Sequence, residues 1–369
     1  MRFRKDLRLG GTILGLIALA LFIPVSQVFA CEYKLEFGDT STGAGQLSLP
    51  RDVAVDPSGN VWVADTGHKR VQKFNSSGEF VSQFGLTSLT GVNGITTDAS
   101  GNVLVATATK IRKYKSNGEL LSEFGSEGTG NGQFKSAQDL AVDASGSIWV
   151  VDKGSAGTAV RVQKFNSSGV YQSQFGKEGT GNGEFKLPEA IAVDSEGNLL
   201  VADTGNNRYQ EFNSAGEFVR KVGSAGTGNG QFESPRGIAV DSEGRVWVAD
   251  SGNSRIQRFS SKGSYQAQIG IYGPNPGEFI EPRGIAISGS NLWVADTGNN
   301  RGQKFNLTPE FLLDFGDEAS GPGRLSAPRD VAIDAGGNAW VADTGHKRVQ
   351  KFNSSGEFVS QFGISAGVT

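Results

Sequence analysis

Four arginines, Arg51, Arg236, Arg283 and Arg329, each follow a proline at the entrance to a short apolar run. Glu189 and Gln138 hold the same place in two further copies of that run. A guanidinium is a permanent positive charge with a planar fork of donors, suited to carboxylate, phosphate or sulfate. If the four converge, they make a basic arc for an anionic or carbohydrate-like ligand, or for a loop of a partner protein. The competing use is to brace neighbouring elements through backbone carbonyls.

A second set is His68 and His346, which occupy equivalent places where other copies carry Asn206, Asn253 or Asn299. Two imidazoles invite a metal, but a catalytic zinc usually takes three protein ligands and the chain has only 2 histidines. Hydrogen bonding in a turn is the plainer use, and both stay beside the arginines as candidate ligand-binding residues. No metal or other cofactor is expected. No acid–base pair stands out from the background, so no catalytic residue is assigned.

Other recurring polar groups read as scaffold. DTGHKR at 65–70 has relatives DTGNNR and DSGNSR, with an aspartate and an arginine across a tight turn. Where Thr107 replaces the aspartate the arginine's place is lost too, and where KGSAGTAV lengthens the loop both Asp152 and Arg161 remain. Partners that stay or leave together point to an ion pair fixing a hairpin. Asp56, Asp98, Asp143, Asp194, Asp241 and Asp334 each precede x-x-Gly and fit Asx turns better than the alternating ligands of a calcium loop. GTGNG at 128–132, 179–183 and 226–230 is followed by another strand pattern and not by a helix, so it reads as a linker and not a phosphate cradle.

These groups sit on a unit of about 46 residues that recurs along the chain. Its first strand is DVAVD at 52–56, with counterparts GITTD, DLAVD, AIAVD, GIAVD, GIAIS and DVAID, and its second is VWVAD at 61–65 and relatives. A third ends in Phe74, Tyr114, Phe165, Phe212, Phe259, Phe305 or Phe352, and a fourth carries FVSQFG or a variant. Trp62, Trp149, Trp247, Trp293 and Trp340 share one slot, which Leu104 and Leu200 fill in the other two copies. One four-stranded sheet cannot bury both faces, whereas sheets stacked around an axis can. The pattern predicts an all-β fold, a β-propeller of four-stranded blades. Seven blades are expected, with six plus a spare unit as the alternative.

In a closed ring the two identical stretches WVADTGHKRVQKFNSSGEFVSQFG, at 62–85 and 340–363, become neighbours. CEYKLEFG at 31–38 also matches a fourth strand, so either 32–37 or 358–362 should complete the last blade. The short entry loop LTSLTGVNG beside the long hairpin KGSAGTAV is the main asymmetry and a place for specificity.

PRDVAVDPSGNVWVADTGHKRVQKF and SPRGIAVDSEGRVWVADSGNSRIQRF resemble NHL repeats, and the resemblance covers 45–363. It implies a propeller, six-bladed in the best-known members. NHL propellers serve as binding platforms, some of them for RNA, and occasionally as enzymes, so the resemblance leaves function open. Related propellers include an amidating lyase and metal-dependent lactonase-like hydrolases. The lyase's histidine-rich metal site has no counterpart in this chain.

The first thirty residues differ in kind. Arg2, Arg4, Lys5 and Arg8 precede the apolar TILGLIALALFIPV and then SQVFA, the layout of an export signal over 1–30, with the propeller over 31–369. The apolar run is short of the roughly 20 residues of a membrane span. Cys31 is the only cysteine, and Val28-Phe29-Ala30-Cys31 resembles a bacterial lipobox, although Phe29 departs from its pattern. Lipidation at Cys31 and ordinary secretion both stay open. Removing the signal takes four of 35 basic and one of 38 acidic residues, leaving a net charge of −6. That balance disfavours nucleic acid.

The expectation is an exported monomer, extracellular, periplasmic or at the cell surface, that binds a protein or a carbohydrate or anionic ligand through the loop face. It would touch a membrane only through a lipid at Cys31. A metal-dependent lyase or lactonase-like hydrolase is the alternative.

Overall fold

Burial sorts the strands by composition. Val61–Asp65 is buried at every position, because a strand apolar on both faces is stable only between two other layers. The outer strand Phe80–Gly85 instead alternates exposed and half-buried residues, as at a wetted edge. The computed structural model describes residues 44–45, 47–76, 79–85, 92–155, 158–316 and 321–363. They form seven four-stranded antiparallel sheets, each paired in chain order. This is a seven-bladed β-propeller, with the inner strands Pro50–Val55, Val92–Thr97, Ala137–Val142, Ala190–Val193, Pro235–Val240, Pro282–Ser288 and Pro328–Ile333 next to the axis.

Each pair of neighbouring blades shares one apolar cluster. Between the first two, Trp62, Ala64 and Val71 pack on Val92, Ile95, Val103, Val105 and Tyr114. Hydroxyls stitch the same seams: Thr66 Oγ1 donates to the Val92 carbonyl at 2.6 Å, and Thr204 Oγ1 to that of Pro235 at 2.7 Å.

The ring closes without exchanging a strand. Phe358–Gly363 completes the last blade, so all four strands of that blade are consecutive. The stretch 31–38 lies outside the described residues. The seam is held by packing of Leu47, Val53, Val61, Val63 and Phe74 on Trp340, Ala342, Val349 and Phe362. Phe74 and Phe362 stack with centroids 3.4 Å apart, and Thr344 Oγ1 donates to the Pro50 carbonyl at 2.6 Å. The two identical sequence stretches are therefore side by side.

Candidate functional site

The hairpin pairs form inward-facing latches. Asp203 is wholly buried and accepts from Arg208 Nε at 2.7 Å, Gln210 Nε2 at 3.1 Å and the Lys186 amide at 2.7 Å. The same guanidinium donates onward to the carbonyls of Thr180, Gly181 and Glu184. The glycine-rich linker is thus wrapped round an arginine, with its carbonyls turned inward. In the second blade Thr107 Oγ1 bonds the Lys110 carbonyl instead. In the third the pair survives loosely, Asp152 to Arg161 at 3.9 Å.

His68 and His346 belong to these latches. Their Nδ1 atoms lie 3.0 and 3.1 Å from Asp65 and Asp343, and their side chains are mostly buried. Neither lines the central cavity. Cys31 and residues 156–157 of the long hairpin fall outside the described residues.

The arginines after proline do converge. Arg51, Arg236, Arg283 and Arg329, with Asn93, Gln138 and Glu189, line a central cavity of about 390 Å³ on the face of the linkers and latches. They are not equivalent. Arg51 donates to Asn93 Oδ1 of the next blade at 2.7 Å. Arg236 bonds Glu189 at 3.1 Å, and Lys153 holds the other oxygen of Glu189 at 2.9 Å. Arg283 reaches only the exposed Glu281 at 3.3 Å, and its Nε is buried without a partner. Arg329 reaches solvent and, among the described residues, makes no hydrogen bond or ion pair. Surrounding protein, then the charges of Arg283, Arg51 and Arg236, push its pKa below the ordinary value. A guanidinium without a carboxylate partner beside other like charges is a ready anion site.

One residue further along the inner strand stand three carboxylates that the sequence reading did not single out, Asp52, Asp139 and Asp330. Each side chain keeps some surface toward the cavity while protein surrounds it closely. Burial, then the charge of Asp52, raises Asp139 to about 7, against the pull of the Ile191 and Leu140 amides and Arg51. Asp52 and Asp330 share a hydrogen bond across the ring seam. Burial, then the Asp330 charge, drives Asp52 well above its ordinary value, and burial raises Asp330 to about 6.

A sequence signal existed: the slot after the arginine position is Asp in three copies, Ala190 in one, and Gly94, Gly237 or Gly284 in the rest. The glycines are needed for close approach. A Cβ on Gly284 would lie 2.6 Å from Asp330 Cα.

Among the described residues no group of three or more His, Cys, Asp or Glu side chains is placed to hold a metal ion. Glu189 is spent on two cations, the aspartates accept backbone amides, and the arginines repel a further cation. The cavity does not fit the metal that a lactonase-like hydrolase implies.

Fold and repeats define the class, the NHL-type β-propellers. The NHL repeat family model matches residues 47–74 and 325–352, and a model described as a 6-bladed beta-propeller matches 242–315. The SMP-30/Gluconolactonase/LRE-like region matches 84–277, more than half of the sequence, and the chain belongs to that family.

NHL repeat-containing protein 3 of Homo sapiens is 36% identical over 76 residues, 21% of this chain and 22% of that protein. Protein brain tumor of Drosophila melanogaster is 35% identical over 72 residues, 19% of this chain and 7% of that protein. The chain therefore spans less than a quarter of the length of these relatives. Among solved structures, a streptogramin B lyase superposes with TM-score 0.68 at 17% identity, covering 86% of this chain and 96% of that one. The hydrazine synthase of Kuenenia stuttgartiensis gives 0.68 at 9%, covering 87% and 100%. At such identities what is shared is the fold.

Proposed function

We propose that this propeller is a binding module, exported to the cell surface, that captures an anionic group of a protein or carbohydrate ligand at the mouth of its central cavity. The observation that carries this reading is Arg329, unpaired beside the underused Arg283 in a ring that satisfies its other recurrent arginines. Arg51 and Arg236 complete the arc and can turn from Asn93 and Glu189 toward an anion. The basic start and apolar run of 1–30, read as an export signal with or without a lipid on Cys31, support a location outside the cytoplasm. Calorimetric titration of the mature protein with citrate and with sulfate tests the reading. Saturable binding that is lost when all four arginines become glutamine supports it, and equal binding by the variant overturns it.

A second reading, catalysis, is favoured by family membership and by Asp139, a carboxyl poised near neutrality against the cavity. It would rest on the carboxyls alone, since the site does not fit a metal. Lactone hydrolysis in the presence of a chelator, abolished by Asp139→Asn, would establish it.

A further inference from the structure

In four blades the tryptophan of the second strand fills a fixed frame. The indole N–H of Trp62, Trp149, Trp247 and Trp340 donates to Asp56, Asp143, Asp241 and Asp334 at 3.1, 2.9, 3.0 and 3.1 Å. A cation of the third strand lies over each ring, for example Lys73 at 4.9 Å and Lys164 at 4.5 Å from the centroid. That cation then runs on to a turn carbonyl of the next blade, Ser116 for Lys73 and Ser214 for Lys164. Acceptor, cationic lid and apolar wall together hold the ring.

The second blade keeps the frame and lacks the ring. Leu104 stands in the tryptophan slot, yet Asp98 and Lys113 remain, and Lys113 Nζ still reaches the Ser167 carbonyl of the third blade at 3.1 Å. Leucine is a ring system short of filling the space, and Val142 and Ile148 of the third blade do not close it. A cavity of about 380 Å³ results, lined by Asp98, Asn102, Leu104, Lys113, Val142 and Ile148. Its rim is made by turns at the strand ends opposite the arginines, so the two cavities open on different faces. The volume falls within the roughly 300–1,000 Å³ of small-molecule sites.

Asp98 Oδ2 accepts from Asn102 Nδ2 at 2.9 Å and pairs with Lys113 Nζ at 2.9 Å, so an indole N–H would take the place that Lys113 gives up on drawing back over the ring, as Lys351 does in the seventh blade. In the seventh blade Asp334 Oδ2 takes Asn338 Nδ2 at 2.9 Å and the indole of Trp340 at 3.1 Å, with Lys351 Nζ at 3.7 Å. The fourth blade is the control. Leu200 also replaces tryptophan there, but Glu211 stands in the cation's place and binds Arg220 at 3.0 Å. There the acceptor Asp194 stays but the cation has gone with the ring, whereas the second blade lost only the ring.

We propose that the cavity between the second and third blades binds an indole-type ring, its N–H donated to Asp98 and its face under Lys113. The ring could arrive as a free heterocycle or as a tryptophan side chain of another polypeptide, and the test separates the two. The mature protein is titrated with indole, with 1-methylindole, which has no N–H, and with a blocked Ala-Trp-Ala peptide, by calorimetry and ligand-observed NMR. Indole is expected to bind saturably, and 1-methylindole about tenfold more weakly for loss of a hydrogen bond to a charged acceptor. Peptide that matches or exceeds indole assigns the site to a polypeptide side chain; weaker peptide binding assigns it to the free heterocycle. Leu104→Trp should rebuild the frame of the other blades, raise the melting temperature and abolish indole binding, while Asp98→Asn should weaken indole and leave 1-methylindole unchanged. Absence of indole binding to the wild type, equal affinity for the two heterocycles, or a Leu104→Trp protein that fails to fold or still binds indole would overturn the proposal.

Discussion

Arg348 and Arg329 lie in the same blade and differ in almost everything but residue type. The Arg348 side chain is 1% exposed; its Nε bonds Asp343 at 2.7 Å, and its terminal nitrogens bond Gln361 at 2.8 Å and the Gly321 carbonyl at 2.7 Å. Arg329 stands among other guanidinium groups at the cavity mouth with no protein partner among the described residues. Recurrence does not separate them, since both types return from blade to blade. Satisfaction does. A donor set that is used up holds the ring together, and a donor set left over is free for a ligand.

The largest effect should come from breaking the latch. Arg348→Ala leaves Asp343 buried with a lost partner and should cost about 3–5 kcal/mol in urea unfolding, whereas Arg329→Ala should stay within about 0.5 kcal/mol. Equal costs would erase the contrast. Next in size, Arg283→Gln with Arg329→Gln should lower citrate affinity at least about tenfold at an unchanged melting temperature, because charged hydrogen bonds are worth about 1.5–3 kcal/mol each. Unchanged affinity would place the spare charge outside recognition.

A smaller effect concerns pH. Asp139 has an ordinary value of 3.8 and is raised to about 7, so the folded state holds a proton that the unfolded state has released between those limits. Its contribution to stability is complete below the lower value and lost as pH rises through the higher one. Asp139→Asn should therefore flatten the pH dependence of the melting temperature over that interval. The same proton affects the ligand: citrate should bind the wild type more tightly at pH 6 than at pH 8, as Asp139 beside Arg51 and Asp52 loses its negative charge. In Asp139→Asn that dependence should shrink, with what remains coming from Asp52, Asp330 and citrate itself. The smallest effect is expected at the latch edge. His68→Asn and His346→Asn should change stability by less than about 0.5 kcal/mol and leave citrate binding alone, since Asn206 bonds Asp203 in the same slot at 2.9 Å.

What was legible in the sequence is what each repeat does for itself. The tryptophan slot, the apolar second strand and the aspartate–arginine hairpin are local, and seven copies made them plain. The choice between 32–37 and 358–362 as closing strand was not legible, because both segments carry the same outer-strand pattern. The division of labour among the four arginines depends on which residue the next blade brings alongside: Asn93 for Arg51, Glu189 of the preceding blade for Arg236. Such partners lie more than forty residues away in sequence. Asp52, Asp139 and Asp330 look innocuous one by one, and their shifted ionisation arises only where three inner strands meet at the axis. The empty tryptophan frame is likewise a property of two blades, since Leu104 matters only because Val142 and Ile148 leave the space open.

The central claim is that uncommitted positive charge gathers at one mouth of the ring. Anomalous diffraction from crystals of the mature protein soaked in selenate tests it most directly. The expected result is selenium density between Arg283 and Arg329, absent when both are glutamine. Selenate bound elsewhere, with that mouth empty, would contradict it.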